Sequence, residues 1–417
     1  MGQYIIEGGN RLSGSVRVHG AKNSALPILA ATVAVGMPCV IHNCPDLSDI
    51  DSTVKILRSL GCEVHQSAGT IAVDSSCISS NRIDEQLMHE MRSSIIFLGA
   101  LVSATGEAVM SAPGGCNIGL RPIDLHLKSV EKLGVTVSEE DGQIRCSCKR
   151  PKGNKITLSF PSVGATENII LAAVKATGTT TIINAAREPE IVDLAMFLNS
   201  CGARISGAGD STIYIEGVDR LHSVQYAIMP DRIVASTYMA AAAVTGSTLI
   251  IDEVIPAHLV PVFSCFEQAG CRIETSGRKI RLTAPERLKA PETILTMPYP
   301  GFPTDCQPIM STVASIADGV TIVTENIFEN RLSHMTELNR MGADIRVQGK
   351  VAVINGVEKL HGALVYATDL RAGAALVVAG LCAEGTTTVN SIHYIDRGYD
   401  SLEENLTMLG AKIRRKE

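Results

Sequence analysis

The chain has 417 residues, 45% of them hydrophobic, which is more than one core usually accommodates, so we expect two domains. A net charge of −6 argues against binding to nucleic acid or to an anionic membrane, and any anion site must therefore be local. The twelve cysteines include no CxxC pair with metal spacing, and no GxGxxG or P-loop motif occurs, so we expect neither a metal nor a cofactor.

In chain order, the opening sequence MGQYIIEGGN turns polar at once and lacks the pattern of an export signal, so with its scattered thiols the chain is expected in the cytoplasm. After the strand-like residues 1–20, one pattern occurs six times: an apolar helix that ends in Gly, a β-branched run, a polar loop and a second helix that ends in Gly. The first glycines are Gly36, Gly106, Gly178, Gly246, Gly319 and Gly385, and the second are Gly61, Gly134, Gly202, Gly270, Gly342 and Gly410. Within each set successive glycines lie 66 to 73 residues apart, which indicates a repeated unit with left-handed glycines at its helix ends.

Strand-like segments such as 144–160 and 280–295 separate consecutive repeats, but no such segment follows Gly410. The strand-like N-terminal residues are expected to supply it. This puts residues 22–229 in a first lobe, and residues 1–21 together with 230–417 in a second. The chain then crosses twice between the lobes, and paired crossings are typical of a hinge around a cleft.

The uncharged stretch Ile233–Ile251 is long enough to raise the question of a membrane span. Gly246 and several Ser and Thr residues interrupt it, and it fits the helix, glycine and strand pattern of the other repeats. We therefore expect a buried helix and strand here, and no membrane partner.

Cations stand near the starts of four first helices, at Lys22, Arg92, Arg232 and Arg371. The helix dipole disfavours a cation at its positive end unless an anion lies between them. A second set of arginines lies before the second helices of the repeats, at Arg121, Arg187, Arg331 and Arg397. Guanidinium groups bind phosphate and carboxylate bidentately, so four equivalent placements favour a polyanionic ligand over the alternative of ordinary surface cations.

The second repeat carries an insertion. Its two glycines are 28 residues apart against 23 to 25 in the other repeats, and the surplus lies in 112–121, where three glycines surround Cys116. Such a segment predicts a mobile flap. A thiol near several cations is expected to have a lowered pKa and to serve as an acid or a nucleophile.

Several motifs together carry a resemblance to a known family. They are AKNSALP (21–27), PGGCNIGLRPIDLH (113–126), PSVGATENI (161–169), AAREPEIVD (185–193), FPTDCQP (302–308), FENR (328–331), ATDLRA (367–372) and HYIDRGYD (393–400). On these motifs, which span nearly the whole chain, the sequence closely resembles the UDP-N-acetylglucosamine enolpyruvyl transferases. The resemblance implies an α/β fold of two lobes, each an inside-out α/β barrel of three βαβαββ repeats.

The resemblance also implies a reaction: the enolpyruvyl group of phosphoenolpyruvate passes to the 3′-hydroxyl of UDP-N-acetylglucosamine, and phosphate is released. By position, Cys116 matches the flap thiol that protonates phosphoenolpyruvate, and Asp305 matches the carboxylate near the sugar hydroxyl. The cations that match those on the phosphate and carboxylate of phosphoenolpyruvate are Lys22, Arg121 and Arg397. The remaining expected binding residues are Asn23, Arg92, Pro122, Ile123, Asp124, Leu125, Ser162, Val163, Gly164, Ile327 and Arg371.

One position departs from the family. Phe160 precedes the PSVG turn where some members carry Lys, so a pyrophosphate contact there must come from backbone N–H groups or from another cation. Two alternatives stay open: transfer to shikimate 3-phosphate by a related enzyme, and a non-catalytic repeat protein that binds anionic metabolites. The flap cysteine, RPIDLH and AKNS favour the nucleotide sugar, and the presence of both Cys116 and Asp305 favours catalysis.

Overall fold

The computed structural model describes residues 2–114, 118–119 and 122–417. Within this part of the chain it contains mixed sheets and helices throughout, so the predicted α/β class is confirmed. Cys116 and Arg121, both assigned to the flap from the sequence, lie outside the described residues.

The helices and strands alternate along the described chain. The α-helices are α1 (Lys22–Val35), α2 (Ser48–Ser59), α3 (Glu85–Glu90), α4 (Phe97–Thr105), α5 (Asp124–Lys132), α6 (Val163–Ala173), α7 (Pro189–Ser200), α8 (Arg232–Val244), α9 (Val260–Gln268), α10 (Gln307–Ser315), α11 (His334–Arg340), α12 (Leu370–Cys382) and α13 (Leu402–Met408). Short 3₁₀ helices span Arg92–Ile96, Pro256–Leu259, Thr304–Cys306 and Ile392–Arg397. Three of these, at Arg92, Pro256 and Thr304, lead directly into α4, α9 and α10.

The strands are short, with three to five residues each. They are β1 (Gln3–Glu7), β2 (Ser15–Arg17), β3 (Cys39–His42), β4 (Glu63–Ser67), β5 (Thr70–Asp74), β6 (Glu107–Ser111), β7 (Thr136–Glu140), β8 (Gln143–Ser147), β9 (Lys155–Thr157), β10 (Thr179–Ile183), β11 (Arg204–Ser206), β12 (Thr212–Glu216), β13 (Val224–Ala227), β14 (Thr248–Asp252), β15 (Arg272–Ser276), β16 (Lys279–Thr283), β17 (Thr293–Leu295), β18 (Val320–Thr324), β19 (Asp344–Gln348), β20 (Val351–Asn355), β21 (Leu364–Tyr366), β22 (Thr386–Asn390) and β23 (Lys412–Lys416).

The strands of the described chain form six small sheets with one common plan. Five have four strands, in the orders β13-β3-β5-β4, β9-β10-β12-β11, β2-β14-β16-β15, β17-β18-β20-β19 and β21-β22-β1-β23. In each of these five, one parallel pair is followed by two antiparallel neighbours. The sixth sheet, β6-β8-β7, has three strands, and a single parallel bridge from Arg82 to Val109 stands where the others have a fourth.

Two compact units contain these sheets. The 20–229 unit comprises residues 20–114 and 122–229, and the 230–417 unit comprises residues 2–19, 118–119 and 230–417. The N-terminal strands belong to the 230–417 unit, where β1 lies between β22 and β23 and β2 pairs with β14.

Each unit has three apolar helices at its core. In the 20–229 unit α1, α4 and α6 contact one another, and in the 230–417 unit α8, α10 and α12 do so. Every residue of α8 is buried, and in α1 all but Asn23 are. Helices that are apolar all round need other elements on every side, and small residues let them approach closely. At Gly99 a Cβ atom would lie 2.3 Å from the Asn168 carbonyl oxygen, so α4 and α6 pack against each other at a glycine.

The glycine pattern read from the sequence is confirmed. All twelve repeat glycines have positive φ, from 61° to 116°, as the left-handed residue at a helix end requires. The stretch 233–251 forms most of α8, then Gly246 and most of β14, as the buried alternative predicted. None of the helices in the described chain combines the length and apolarity needed to cross a bilayer.

Candidate active site

Aspartates cap two of the core helices in the 230–417 unit. Oδ1 of Asp231 accepts hydrogen bonds from two backbone N–H groups in the first turn of α8, at 2.8 and 3.1 Å. Oδ1 of Asp369 accepts equivalent bonds at the start of α12, at 2.9 and 3.2 Å. Each carboxylate adjoins a cation of the sequence analysis, Arg232 or Arg371. The anion expected beside these two arginines is therefore supplied in part by the protein itself.

Asp305 lies at the centre of a buried ion-pair network. Arg331 donates from Nη2 to Oδ1 of Asp305 at 2.7 Å and from Nη1 to Oδ1 of Asp369 at 3.4 Å. Nε of Arg371 lies 3.5 Å from the same Asp305 oxygen. The side chains of Arg331, Arg371 and Asp369 are 3%, 4% and 6% exposed, whereas that of Asp305 is 29% exposed. Asp305 is thus the member of this network that solvent or a ligand reaches most easily.

Arg371 carries a fixed positive charge and spare hydrogen-bonding capacity. Burial by itself lowers the pKa of Arg371, but the neighbouring Asp305, Tyr399 and Asp231 outweigh it and raise that pKa. Asp231 caps α8, Asp305 lies just before α10, and Arg371 lies in the first turn of α12, so the starts of these three helices lie close together. Nη1 of Arg371 is buried and has no hydrogen-bond partner among the residues that the structure describes. A guanidinium in this state suits a carboxylate or phosphate ligand.

The cysteine beside Asp305 is not activated. Cys306 is fully buried, and burial raises the pKa of its thiol to about 12 despite the nearby Arg232 and Arg371. Burial also raises the thiol pKa of Cys44, Cys62, Cys146, Cys148, Cys265, Cys271 and Cys382. These thiols stay protonated near neutral pH and are poor nucleophiles.

In the 20–229 unit, two contacts hold the start of α1. Nζ of Lys22 lies 2.9 Å from Oδ2 of Asp49, and both side chains are largely buried. The Ser24 hydroxyl donates to Oδ2 of Asp193, whose Oδ1 accepts from the Tyr226 hydroxyl at 2.6 Å. Burial raises the pKa of Asp193. The sequence analysis singled out neither aspartate, although both fix the helix end that carries Lys22.

Asn168 ties three of the predicted binding segments together. Its Nδ2 donates to Nδ1 of His126 at 2.7 Å and to the Ile95 carbonyl oxygen at 3.1 Å. His126 lies in the first turn of α5, directly after residues 122–125. Ile95 belongs to the 3₁₀ helix that begins at Arg92, and Asn168 lies in α6 after its cap, Ser162. A Cβ at Gly164 would lie 2.8 Å from Cε1 of His126, so a side chain there would displace the ring. The structure therefore brings the segments 92–95, 122–126 and 162–168 into contact.

A surface cavity of about 460 Å³ adjoins the 122–124 turn. Its wall continues along α5 through Leu127, Lys128 and Glu131 to Val137 and Glu139 of β7. Three of its lining residues, Pro122, Ile123 and Asp124, are predicted binding residues.

The other predicted residues occupy separate positions. Asn23, Arg92 and Ser162 are half-buried at helix starts, Ile327 is half-buried in the loop after β18, and Arg397 is half-buried at the end of a 3₁₀ helix. Phe160 is 43% exposed. Among the described residues no group of three or more His, Cys, Asp or Glu is placed to hold a metal ion.

The loop arginines do not share one environment. Arg187 is exposed, and its Nε donates to the Gly209 carbonyl oxygen at 3.1 Å, whereas Arg331 is buried in the ion-pair network. Both arginines lie between a strand and the second helix of their repeat, as the sequence predicts. Their surroundings differ because the acidic partners of Arg331, Asp305 and Asp369, come from distant segments.

A buried carboxyl group lies in α6, below the Ser162 cap. Glu167 is 3% exposed. Burial, followed by the nearby Glu190 and Glu188, raises the pKa of Glu167 well above its ordinary value. The native state therefore holds a proton on Glu167 at pH values where an unfolded chain releases it.

We expect Glu167→Gln to reduce the loss of stability at high pH. The stability contributed by the bound proton is complete below the ordinary pKa of 4.5 and is lost as the pH rises through the native pKa, at up to about 1.4 kcal/mol per pH unit. In melting curves recorded between about pH 5 and about pH 9, the melting temperature of the variant should increase relative to that of the wild type as the pH rises. Glu140→Gln, at an exposed position, should follow the wild type. If the melting temperatures of Glu167→Gln and the wild type change with pH in the same way, the raised pKa of Glu167 is contradicted.

The described chain is thus an α/β protein in which helix starts and buried guanidinium groups gather around a partly exposed carboxylate. The sequence model of the EPSP synthase (3-phosphoshikimate 1-carboxyvinyltransferase) family matches residues 6–406, and the chain belongs to this family.

Relatives and solved structures agree with that placement and confirm the resemblance seen in the motifs. The chain is 55% identical over 415 residues to UDP-N-acetylglucosamine 1-carboxyvinyltransferase 2 of Caldanaerobacter subterraneus, with all of both chains covered. It is 49% identical to UDP-N-acetylglucosamine 1-carboxyvinyltransferase 1 of Carboxydothermus hydrogenoformans, covering 100% of this chain and 98% of the relative. The crystal structure of the enolpyruvyl transferase NikO from Streptomyces tendae superposes with a TM-score of 0.91 at 30% identity, over 100% of this chain and 99% of that one. EPSP synthase from Acinetobacter baumannii, at 18% identity and a TM-score of 0.77 over the full length of both chains, shares the fold.

Proposed function

We propose that this chain transfers the enolpyruvyl group of phosphoenolpyruvate to the 3′-hydroxyl of UDP-N-acetylglucosamine and releases phosphate, in the first committed step of peptidoglycan precursor synthesis. One observation carries the proposal: relatives that are 46% to 55% identical over essentially the whole chain bear the name UDP-N-acetylglucosamine 1-carboxyvinyltransferase. The motif residues of the sequence analysis fit the same reaction.

The chemistry requires an acid and a base. Addition to the double bond of phosphoenolpyruvate needs a proton at the methylene carbon and a base for the incoming hydroxyl. The tetrahedral intermediate then collapses by losing phosphate together with a proton from the new methyl group, which restores the double bond. We assign the proton to Cys116 and place Asp305 at the sugar hydroxyl. The partial exposure of Asp305 supports its role at the sugar hydroxyl. The raised pKa values of the buried thiols leave those cysteines unsuited to the role assigned to Cys116.

Cations are needed because both substrates are anionic. We assign Lys22, Arg121, Arg371 and Arg397 to the phosphate and carboxylate of phosphoenolpyruvate. The buried Nη1 of Arg371, which has no hydrogen-bond partner in the described chain, supports its part in this assignment. Preorganised guanidinium groups bind an anion without the cost of reorienting water.

The nucleotide sugar is assigned to a second set of residues. These are Asn23, Arg92, Pro122, Ile123, Asp124, Leu125, Ser162, Val163, Gly164 and Ile327. The Asn168 contacts that join segments 92–95, 122–126 and 162–168 support a shared site for most of them. With Phe160 at the PSVG turn, the backbone N–H groups at the start of α6 are the expected contacts for the pyrophosphate.

The fold of the proposed enzyme is a pair of inside-out α/β barrels, each with three βαβαββ repeats, formed by 22–229 and by 1–21 with 230–417. The common plan of the six sheets and the three buried helices of each unit support this description. We place the enzyme in the cytoplasm and assign it no metal and no cofactor.

Phosphate release tests the acceptor directly. With phosphoenolpyruvate at saturation, we expect turnover with UDP-N-acetylglucosamine to exceed turnover with shikimate 3-phosphate by a factor of about 100 or more, because a pocket built to hydrogen-bond one acceptor rejects another that leaves its polar groups unpaired. The reverse preference would assign the chain to the shikimate reaction. Single-turnover experiments that release no phosphate with either acceptor would instead favour a non-catalytic binding protein.

A further inference from the structure

Glu325 is a buried carboxylate that the reaction as assigned above does not use. It follows β18 directly, is 2% exposed, and accepts four hydrogen bonds. Its Oε1 accepts from the Thr296 hydroxyl at 2.9 Å and from the backbone N–H groups of Ile327 at 2.8 Å and Phe328 at 3.2 Å. Its Oε2 accepts from the Thr304 hydroxyl at 2.9 Å. Removing a carboxylate with this many partners leaves several buried donors unsatisfied.

Directly after its strand, Glu325 takes the place that asparagine holds in the first and third repeats. In the first and third repeats the residue after the strand is Asn43 or Asn184, whose side-chain amide donates at 2.9 Å to the carbonyl oxygen one position beyond the parallel strand. In the fifth repeat Asn326 makes the corresponding bond, to the Thr296 carbonyl oxygen at 3.3 Å. In the fifth repeat the asparagine thus comes one position later, and a carboxylate stands directly after the strand. There it accepts hydrogen bonds from the 296, 304 and 327–328 segments, so it joins parts of the chain that carry assigned site residues.

The two segments that Glu325 joins both carry assigned site residues. Thr304 precedes Asp305, and the Thr304 carbonyl oxygen also accepts from Nε of Arg331 at 3.4 Å. Ile327 is itself an assigned contact of the nucleotide sugar. The Glu325 carboxylate therefore holds two segments at a fixed separation: the turn that contains Asp305 and the loop that contains Ile327.

We propose that Glu325 is a positioning residue, which holds Asp305 and Ile327 at the separation at which both contact the same nucleotide-sugar molecule. This inference rests on the proposed function. Glu325 contacts no reacting atom, and it acts by limiting the movement of two segments whose misplacement by about 1 Å is enough to lower the rate about 100-fold.

Alanine and glutamine variants separate positioning from simple loss of structure. Glu325→Ala removes all four acceptor contacts and is expected to lower kcat/KM for UDP-N-acetylglucosamine about 10- to 100-fold. Glu325→Gln keeps one acceptor oxygen for Thr296, Ile327 and Phe328, and its amide can donate to the Thr304 oxygen, so it should remain within about threefold of the wild type. The matched control is Glu253→Ala, because Glu253 follows β14 at the corresponding place but is paired with Arg278 at 2.8 Å. A Glu325→Ala variant that matches the control, or a folded Glu325→Gln variant as impaired as Glu325→Ala, overturns the proposal.

Two threonine variants keep the proposal testable if Glu325→Ala does not fold. Thr304→Val releases the Asp305 turn alone and is expected to lower kcat with little change in KM. Thr296→Val releases the 326–328 loop and is expected to raise KM for the nucleotide sugar more than it lowers kcat. Equal effects of the two variants on both constants, or no effect, would contradict the inference.

Hydrogen exchange separates this inference from the proposed function. The Ile327 and Phe328 amides should exchange about tenfold faster in the Glu325→Ala or Thr296→Val variant than in the wild type or Glu325→Gln, whichever acceptor the enzyme uses. Unchanged exchange rejects the positioning role of Glu325. Absence of transfer to UDP-N-acetylglucosamine in the wild type, with faster exchange in the variants, rejects the proposed function instead.

Discussion

Replacing Cys116 with serine is expected to lower turnover with both substrates about 100-fold or more. A serine hydroxyl is a far weaker acid than a thiol, so proton delivery to the methylene carbon slows, and loss of a general acid typically costs a factor of about 100 to 10,000. Initial rates of phosphate release at saturating substrate concentrations measure this effect. The nucleotide-sugar affinity, measured by titration, should change little, because the thiol is assigned to the other substrate.

The matched control is Cys77→Ser, since Cys77 is an exposed thiol among the described cysteines. The resemblance implies that the epoxide fosfomycin alkylates the flap thiol of these enzymes. Wild type and Cys77→Ser should therefore lose activity with time in fosfomycin, whereas Cys116→Ser should keep its residual activity. Fosfomycin resistance of the wild type would show that Cys116 is not the reactive group.

Asp305→Asn is expected to lower kcat by a factor of about 100 to 10,000. The amide keeps the size of the carboxylate but cannot take up a proton from the sugar hydroxyl. It also leaves Arg331 and Arg371 short of the negative charge that the carboxylate provides at 2.7 and 3.5 Å. The pH dependence of kcat should lose its acidic limb in the variant, since that limb reports the base.

Asp318→Asn provides the comparison, because Asp318 is exposed in the same unit. It should match the wild type in rate and in melting temperature. A kcat for Asp305→Asn within threefold of this control, with both substrates saturating, would remove Asp305 from the reaction.

The sequence predicted those features that depend on local backbone conformation or on a repeated pattern. Gly246 and its equivalents lie at left-handed positions, where glycine adopts positive φ without strain. Their regular spacing in the sequence was therefore enough to predict the repeated unit. The stretch 233–251 could be assigned to a helix and strand because five other segments share its pattern.

Features that depend on contacts between distant segments were not predictable. Arg331 and Arg187 occupy similar places in their loops, yet only Arg331 meets two aspartates, at 305 and 369. Asp369 lies in the ATDLRA motif, but nothing in that motif indicates a partner 38 positions away in the sequence. Glu325 and Asn168 gave no signal because their roles follow from hydrogen bonds that exist only in the folded chain.

The position of β1 between β22 and β23 sets an order for folding during synthesis. Ribosomes add about 5 to 20 residues per second, so the first strand waits about 20 to 80 s for the last two to emerge. The 20–229 unit is complete well before then. A nascent chain therefore carries an unpaired strand beside an already folded neighbour, and a chaperone that shields exposed strand edges should raise the yield of this protein more than that of one whose sheets close locally.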